Sequence, residues 1–295
     1  MAATLIDGRL IAADIRAEVR RGADELRRAR GITPGLAFIL VGNDPGSEVY
    51  VRSKGKACGE MGFRSVTERR PASCTEQELL GLIAGFNADP AIHGILVQLP
   101  LPPHINEQRV IEAIDFRKDV DGFHPVNVGK LVLGIPCLRP CTPAGILELL
   151  ARSGNDPAGK HAVVVGRSNI VGKPVFNMLM QKQPGANAAV TVVHTGVKDI
   201  GPLVKQADIV IAAMGKPRLI TGAMLKPGCV VIDVGMNRIP DPSTKTGTRL
   251  VGDVDFDSVR DVASAITPVP GGVGLMTIAM LMKNTLQAAA TFAGS

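Results

Sequence analysis

The chain has 295 residues, 45% of them hydrophobic and 20% charged, with 33 Gly and 21 Pro; that length suffices for two buried cores, and the balance excludes a disordered or fibrous protein. The formal charge is +6, but no Lys/Arg run is long enough for a nucleic-acid arm, and one Tyr without any Trp offers little surface for stacking bases. Small anionic ligands and plain solubility both account for the charge.

The cysteines, Cys58, Cys74, Cys137, Cys141 and Cys229, form an odd set with no CxxC pair. Neither a disulfide framework nor a metal site is expected, and the compartment should be reducing. The N-terminal "MAATLIDGRLIAADIRAEV" spreads acids and arginines along its length, unlike a signal peptide.

Strand-like runs alternate with helix-length segments, which predicts an α/β protein with largely parallel sheets. "GLAFILVG" (35–42) is the first strand, followed by the loop "VGNDPGS" at a strand's carboxyl end, where α/β proteins place ligands. A helix is expected over 47–61, capped by Ser47 and ended by Gly62. It carries the only tyrosine, Tyr50, at i, i+4 from Lys54; a snorkelling Lys over a packed Tyr and a catalytic pair both fit that spacing. A Thr75-x-x-Glu78 capping box opens a helix over 75–88. The strand "IHGILVQLP" (92–100) completes a βαβ-type unit and puts the Gln98 amide at a very apolar strand end, where it needs an ammonium, a substrate or nearby backbone as partner. In "FRKDVDGFHPVN" (116–127), Asp119 and Asp121 can accept two hydrogen bonds from an amidine-like edge or form Asx-turns, the turn being favoured for Asp119. His124 is read as structural.

The Pro-rich stretch 134–143 marks a boundary between residues 1–140 and 141–273. Beyond it "HAVVVG" (161–166), "AAVTVVH" (188–194), "ADIVIAA" (207–213) and "CVVIDVG" (229–235) each resemble a buried parallel strand. The first of them leads through "GRSNIVG" into a helix, the context of a phosphate-cradling loop, with Gly166 for the tight turn and Gly172 for close packing. Ser168 stands where the middle Gly of G-x-G-x-x-G is usual. The next strand ends in His194 and Thr195 with no acid, whereas Arg167 and a Thr hydroxyl suit a 2′-phosphate; the expected cofactor is NADP rather than NAD. Residues 239–248 read as an exposed loop. Segment 273–292, interrupted by Lys283 and Asn284, reads as a packed helix rather than a membrane span.

Taken in order, "YVRSKGKACGEMGF", "GILVQLPLP", "KDVDGFHPVN", "PCTPAGI", "VVVGRSNIVGKPV", "VIDVGMNR", "GDVDF" and "TPVPGGVG" resemble the bifunctional methylenetetrahydrofolate dehydrogenase/methenyltetrahydrofolate cyclohydrolase family over nearly the whole chain. The resemblance implies oxidation of 5,10-methylenetetrahydrofolate with NADP, then hydrolysis to 10-formyltetrahydrofolate, within one-carbon metabolism and purine biosynthesis. It implies Tyr50 and Lys54 as the active-site pair, Gln98 as support for Lys54, and Asp121 as the pterin-holding carboxylate. Ser47, Pro270, Gly271 and Gly272 would also meet substrate; Gly166, Arg167, Ser168, Gly172, Thr195, Met236 and Thr142 would meet cofactor. Two α/β domains with a cleft between them are implied, the second Rossmann-type, the helix 274–295 returning to the first. Tetrahydrofolate derivatives, polyglutamylated forms included, would be the partners of a cytoplasmic homodimer without metal, membrane or nucleic acid.

The chemistry suits these residues. Oxidation needs positioning and no proton acceptor, but hydrolysis needs a group that takes a proton from water and returns one to the ring nitrogen, as a desolvated amine can. Two departures stand out. Leu275 occupies the place of a Pro in the family's G-G-V-G-P-M-T, and Gly196 removes a cation that commonly follows the His-Ser pair. A shikimate-dehydrogenase-like oxidoreductase and a catalytically silent folate- or nucleotide-binding protein are the rival readings; the first does not explain Tyr50 four residues before Lys54 or the V-Q-L-P strand, and intact Lys54, Gln98 and Asp121 argue against the second.

Overall fold

Continuous apolar runs form the centres of two parallel sheets in this computed structural model, which describes residues 2–244 and 247–292. In chain order the elements are β1 (Thr4–Leu5), α1 (Gly8–Arg30), β2 (Gly35–Val41), α2 (Pro45–Met61), β3 (Arg64–Arg70), α3 (Glu76–Ala88), β4 (Gly94–Val97), α4 (Glu107–Ala113) and α5 (Pro125–Leu133). Then follow α6 (Cys141–Arg152), β5 (His161–Val165), α7 (Gly172–Leu179), β6 (Ala189–Val193), α8 (Gly201–Val204), β7 (Ile209–Ala212), β8 (Val230–Asp233), β9 (Asn237–Pro240), β10 (Thr248–Val251), α9 (Phe256–Arg260), β11 (Ala265–Ile266) and α10 (Val273–Phe292).

By contacts the chain divides into two units. One comprises Asp14–Cys141 and the residues from Ile278 on; the other comprises the residues up to Ala13 and Thr142–Thr277. The sequence reading put residues 1–140 together, whereas β1 pairs with β11 and so goes with the second unit.

The first unit holds the three-stranded sheet β3-β2-β4, parallel throughout. Every residue of β2 is buried, as a central strand covered on both faces requires. Its neighbour β3, sequence RSVTERR, is mostly exposed and carries no apolar alternation, so periodicity gives no hint of it; all seven of its residues pair with β2. The expected Thr75/Glu78 capping box opens α3. The cap of α2 is a correction. Asp44, not Ser47, caps the helix: its carboxylate accepts from the Ser47 N–H at 2.7 Å, and Pro45 follows at the first helical position. Gly62, in the left-handed conformation, ends α2 as expected. From residue 278 on, α10 lies with this unit, as anticipated for the C-terminal helix; Met282 touches Cys58 of α2 at 3.8 Å.

The second unit is built on the six-stranded parallel sheet β1-β11-β8-β7-β5-β6. The four strands expected there are β5, β6, β7 and β8. The expected loop 239–248 is partly ordered pairing instead, since β9 and β10 form an antiparallel ribbon from Asn237↔Val251 to Pro240↔Thr248; residues 245–246 lie outside the described residues. No helix among the described residues is long and apolar enough to cross a membrane.

Candidate active site

In the first unit three side chains from distant segments come together around one ammonium. Lys54, on α2, is 8% exposed, and its Nζ donates to Oε1 of Gln98 at 2.9 Å. Gln98 lies just beyond β4, its N–H bonded to the Ile39 carbonyl, while its Nε2 donates to the Leu99 carbonyl at 2.8 Å. Two of the three partners open at the sequence level, backbone and ammonium, are therefore realised at once, and they fix the amide orientation.

Asp121 is the third member. Among the described residues no hydrogen bond reaches its carboxylate, and it borders a recess lined by Ile95, Val97, Leu99 and Phe123. Burial pushes its carboxyl up to about 6, the Lys54 charge pulls it down and Asp119 raises it. Asp119 itself is consumed by the turn, accepting from the N–H groups of Gly122 and His124 and from Nδ2 of Asn127. His124 caps α5 through Nδ1, a structural role as read. Tyr50, one turn before Lys54, is 42% exposed, and Ser47 is buried beneath the Asp44 cap.

A carboxyl raised on folding stabilises the fold below its unfolded value near 4 and loses that contribution as pH rises through about 6. At neutral pH the ionised Asp121 thus costs stability. Asp121→Asn is expected to raise stability by about 1–2 kcal/mol at pH 7.5 and by nothing at pH 4. Thermal melts at both values check this; equal shifts at the two would contradict it.

In the second unit the turn after β5 is shaped for close approach. Gly166 has φ +141°, and a Cβ there would lie 2.2 Å from the Ala213 carbonyl oxygen, at the end of β7. A Cβ on Gly172 would sit 2.3 Å from the Gly166 oxygen, so α7 starts against the turn itself. Ser168 is the substitution that made the glycine motif incomplete. Its Oγ accepts from the N–H groups of Val171 and Gly172 at 3.2 and 3.3 Å, closing the loop and leaving the O–H to donate. Arg167 is exposed, its Nη1 3.5 Å from Nε2 of His194, and Thr195 is exposed beside them. This tight turn, the hydrogen left on the Ser168 hydroxyl and an exposed guanidinium fit a dinucleotide phosphate. Gly196, whose N–H donates to Nδ1 of His194, serves this bend.

The remaining expected residues also lie in the second unit. Thr142 and Thr277 share a hydroxyl hydrogen bond of 2.9 Å; Met236 is 50% exposed. Pro270, after a cis peptide, and Gly271 precede Gly272, against which the start of α1 packs. Leu275, in the first turn of α10, donates its N–H to the Gly272 carbonyl at 3.3 Å, a bond that Pro would not make.

The residue-level reading missed a buried carboxylate pair behind the cofactor turn. Asp233 accepts from the N–H groups of Gly235, Asp253 and Val254; Asp253 accepts from Met214, Gly215 and Nδ2 of Asn237. Burial pushes the Asp233 carboxyl up to about 6 against those bonds. The loops after β7 and β8 are tied together by this pair, and the only sequence signal was the acids within "VIDVGMNR" and "GDVDF".

Residues 6–121 match the sequence model of the tetrahydrofolate dehydrogenase/cyclohydrolase catalytic domain, and residues 140–293 that of its NAD(P)-binding domain. The chain belongs to this family. It is 58% identical over 294 residues to the bifunctional protein FolD of Syntrophus aciditrophicus, covering 100% of both chains, and 58% identical over 285 residues to that of Prosthecochloris aestuarii, covering 96% of this chain and 97% of the relative. The bifunctional methylenetetrahydrofolate dehydrogenase/cyclohydrolase from Campylobacter jejuni has a TM-score of 0.92 and 47% identity, with 98% of this chain and 99% of that one covered. The Trypanosoma brucei enzyme, complexed with NADP and an inhibitor, has a TM-score of 0.92 and 42% identity, with 99% and 98% covered. The shikimate-dehydrogenase-like reading is set aside by this membership. The NAD(P)-binding match runs on through α10, although residues from Ile278 pack with the first unit.

Proposed function

We propose that the chain oxidises 5,10-methylenetetrahydrofolate with NADP and hydrolyses the methenyl product to 10-formyltetrahydrofolate. The observation that carries this is a buried Lys54 ammonium, bonded to Gln98, near a carboxylate that has no hydrogen bond of its own among the described residues. Asp121 accepts from the amidine-like edge of the pterin, a bidentate match for a carboxylate, and the Tyr50 ring packs on the folate. NADP, held by Gly166, Arg167, Ser168, Gly172 and Thr195, accepts the hydride from the one-carbon bridge; in that step the chain's own residues only orient substrate.

Hydrolysis uses Lys54 directly. The Lys54 ammonium gives a proton to the departing ring nitrogen, and the amine so formed takes one from the water that has attacked the amidinium carbon. The hydroxyl proton lost as the formyl group forms is the one released overall. Gln98 Oε1 holds Nζ in place for both transfers.

Reduced-cofactor absorbance on adding methylenetetrahydrofolate, followed by decay of the methenyl absorbance, tests both steps. kcat/KM is expected to favour NADP over NAD by about tenfold or more, because β6 is followed directly by His194 and Thr195 rather than an acid, and Arg167 is exposed where a 2′-phosphate would lie; a preference for NAD would refute the cofactor assignment. A catalytically silent binding protein would give neither signal. The same reading makes the chain a cytoplasmic homodimer paired through the cofactor units. Supporting it are five unpaired cysteines and β6, the outermost strand of the large sheet, with Val190 and Val192 only half-buried. Sedimentation as a single chain would count against it.

A further inference from the structure

One amide on α10 meets the backbone on which Asp121 is carried. Asn284, between Lys283 and Thr285 on α10, is 4% exposed. Its Nδ2 donates to the carbonyls of Val120 and Arg139, both at 2.8 Å, using the two hydrogens that it has. Val120 is the residue before Asp121, and its carbonyl also accepts the Cys141 thiol at 3.3 Å. Arg139 belongs to the segment against which the same turn is pressed: a Cβ on Gly122 would stand 2.5 Å from the Arg139 carbonyl carbon.

The Asp121 backbone is thus gripped on both sides. Asp119 holds Gly122 and His124 from within the turn, and Asn284 holds Val120 from the helix. Two residues earlier on α10, Met282 meets Cys58 of α2, the helix that carries Lys54. A single helix therefore sets where Lys54 and Asp121 stand relative to each other, although no residue of α10 need touch the pterin for this.

We infer that Asn284 is a positioning residue for folate recognition, acting through the Val120–Asp121 peptide; this rests on the assignment of Asp121 to the pterin. A buried donor removed here frees two carbonyls and lets the turn relax, which misplaces a carboxylate whose two hydrogen bonds demand good alignment.

A double-mutant cycle read by calorimetric titration with tetrahydrofolate tests it. Asn284→Ser is expected to weaken tetrahydrofolate binding about tenfold while leaving NADP binding within about twofold. Asp121→Ala should weaken it at least as much, and the double variant should bind no worse than Asp121→Ala alone. Independent, multiplying losses, or an equal loss of NADP binding, would show a merely structural amide and overturn the inference. Unchanged affinity in Asp121→Ala would instead overturn the pterin assignment beneath it. Should Asn284→Ser not fold, Cys141→Ala removes the weaker donor to the same carbonyl; a two- to threefold loss of tetrahydrofolate affinity is expected, and unchanged affinity would overturn the inference.

Discussion

Lys54→Met is expected to lower cyclohydrolase turnover by about 10²–10⁴-fold, the usual worth of a positioned proton carrier, and to lower dehydrogenase kcat/KM by about tenfold through misplaced substrate. Folding should survive. Met fills the volume of a stem that is already buried, both residues favour helix, and Gln98 keeps its bond to the Leu99 carbonyl. Stability should change by no more than about 1 kcal/mol. The dehydrogenase loss has an electrostatic component as well: without the Lys54 charge the Asp121 carboxyl, already up to about 6, rises further and is less able to accept hydrogen bonds at neutral pH. Circular dichroism with paired assays of the two steps checks this. Full hydrolysis by a folded Lys54→Met protein would sink the proton-carrier role.

Asp253→Ala should be the most damaging change to the cofactor unit. The side chain is 1% exposed and accepts from Met214, Gly215 and Asn237 at 2.7, 2.7 and 2.8 Å. Removing it strands three part-buried donors, at about 1–3 kcal/mol each before water or relaxation recovers part of the loss. A net cost of about 3–5 kcal/mol is expected, a large share of the stability of an ordinary domain. NADP binding should fail with it, because the loop that Asp253 holds begins at Ala213, whose carbonyl lies against Gly166. Asp253→Asn makes a sharp control. Its carbonyl oxygen can keep the two backbone bonds, and a flip of the Asn237 amide restores the third, so near-normal stability is expected. Urea unfolding of both variants decides: equal losses, or an Asp253→Ala loss below about 1 kcal/mol, would refute the bracing role.

Much of the fold is legible along the chain because the interactions that announce it are local. β2, β4, β5, β7 and β8 are short apolar runs that only burial between helices can satisfy. The α3 capping box and the Gly62 stop are satisfied within a few residues of themselves. Even the misassigned α2 cap was readable, since Asp44 followed by Pro45 is a stronger start signal than Ser47. The polar edge strand β3 was not readable: its stability comes from pairing with β2, and edge strands favour charge over apolar alternation.

The site divides along the same line. Sequence alone determined the residue types of the chemistry: an amine one helical turn from a phenol, an amide at an apolar strand end, a carboxylate in a Gly-containing loop, and a strand–turn–helix with no acid after the next strand. Local spacing carries that much because capping, turns and strand burial act over a few residues. Only the tertiary structure decided which of these groups lose water together. The bond from Lys54 to Gln98 spans 44 residues and that from Asn284 to Val120 spans 164. Asp233 and Asp253 approach each other although β9 and β10 intervene. A buried polar group is stable only beside its partner, and the partner is chosen by how strands and helices pack, which no window along the chain contains.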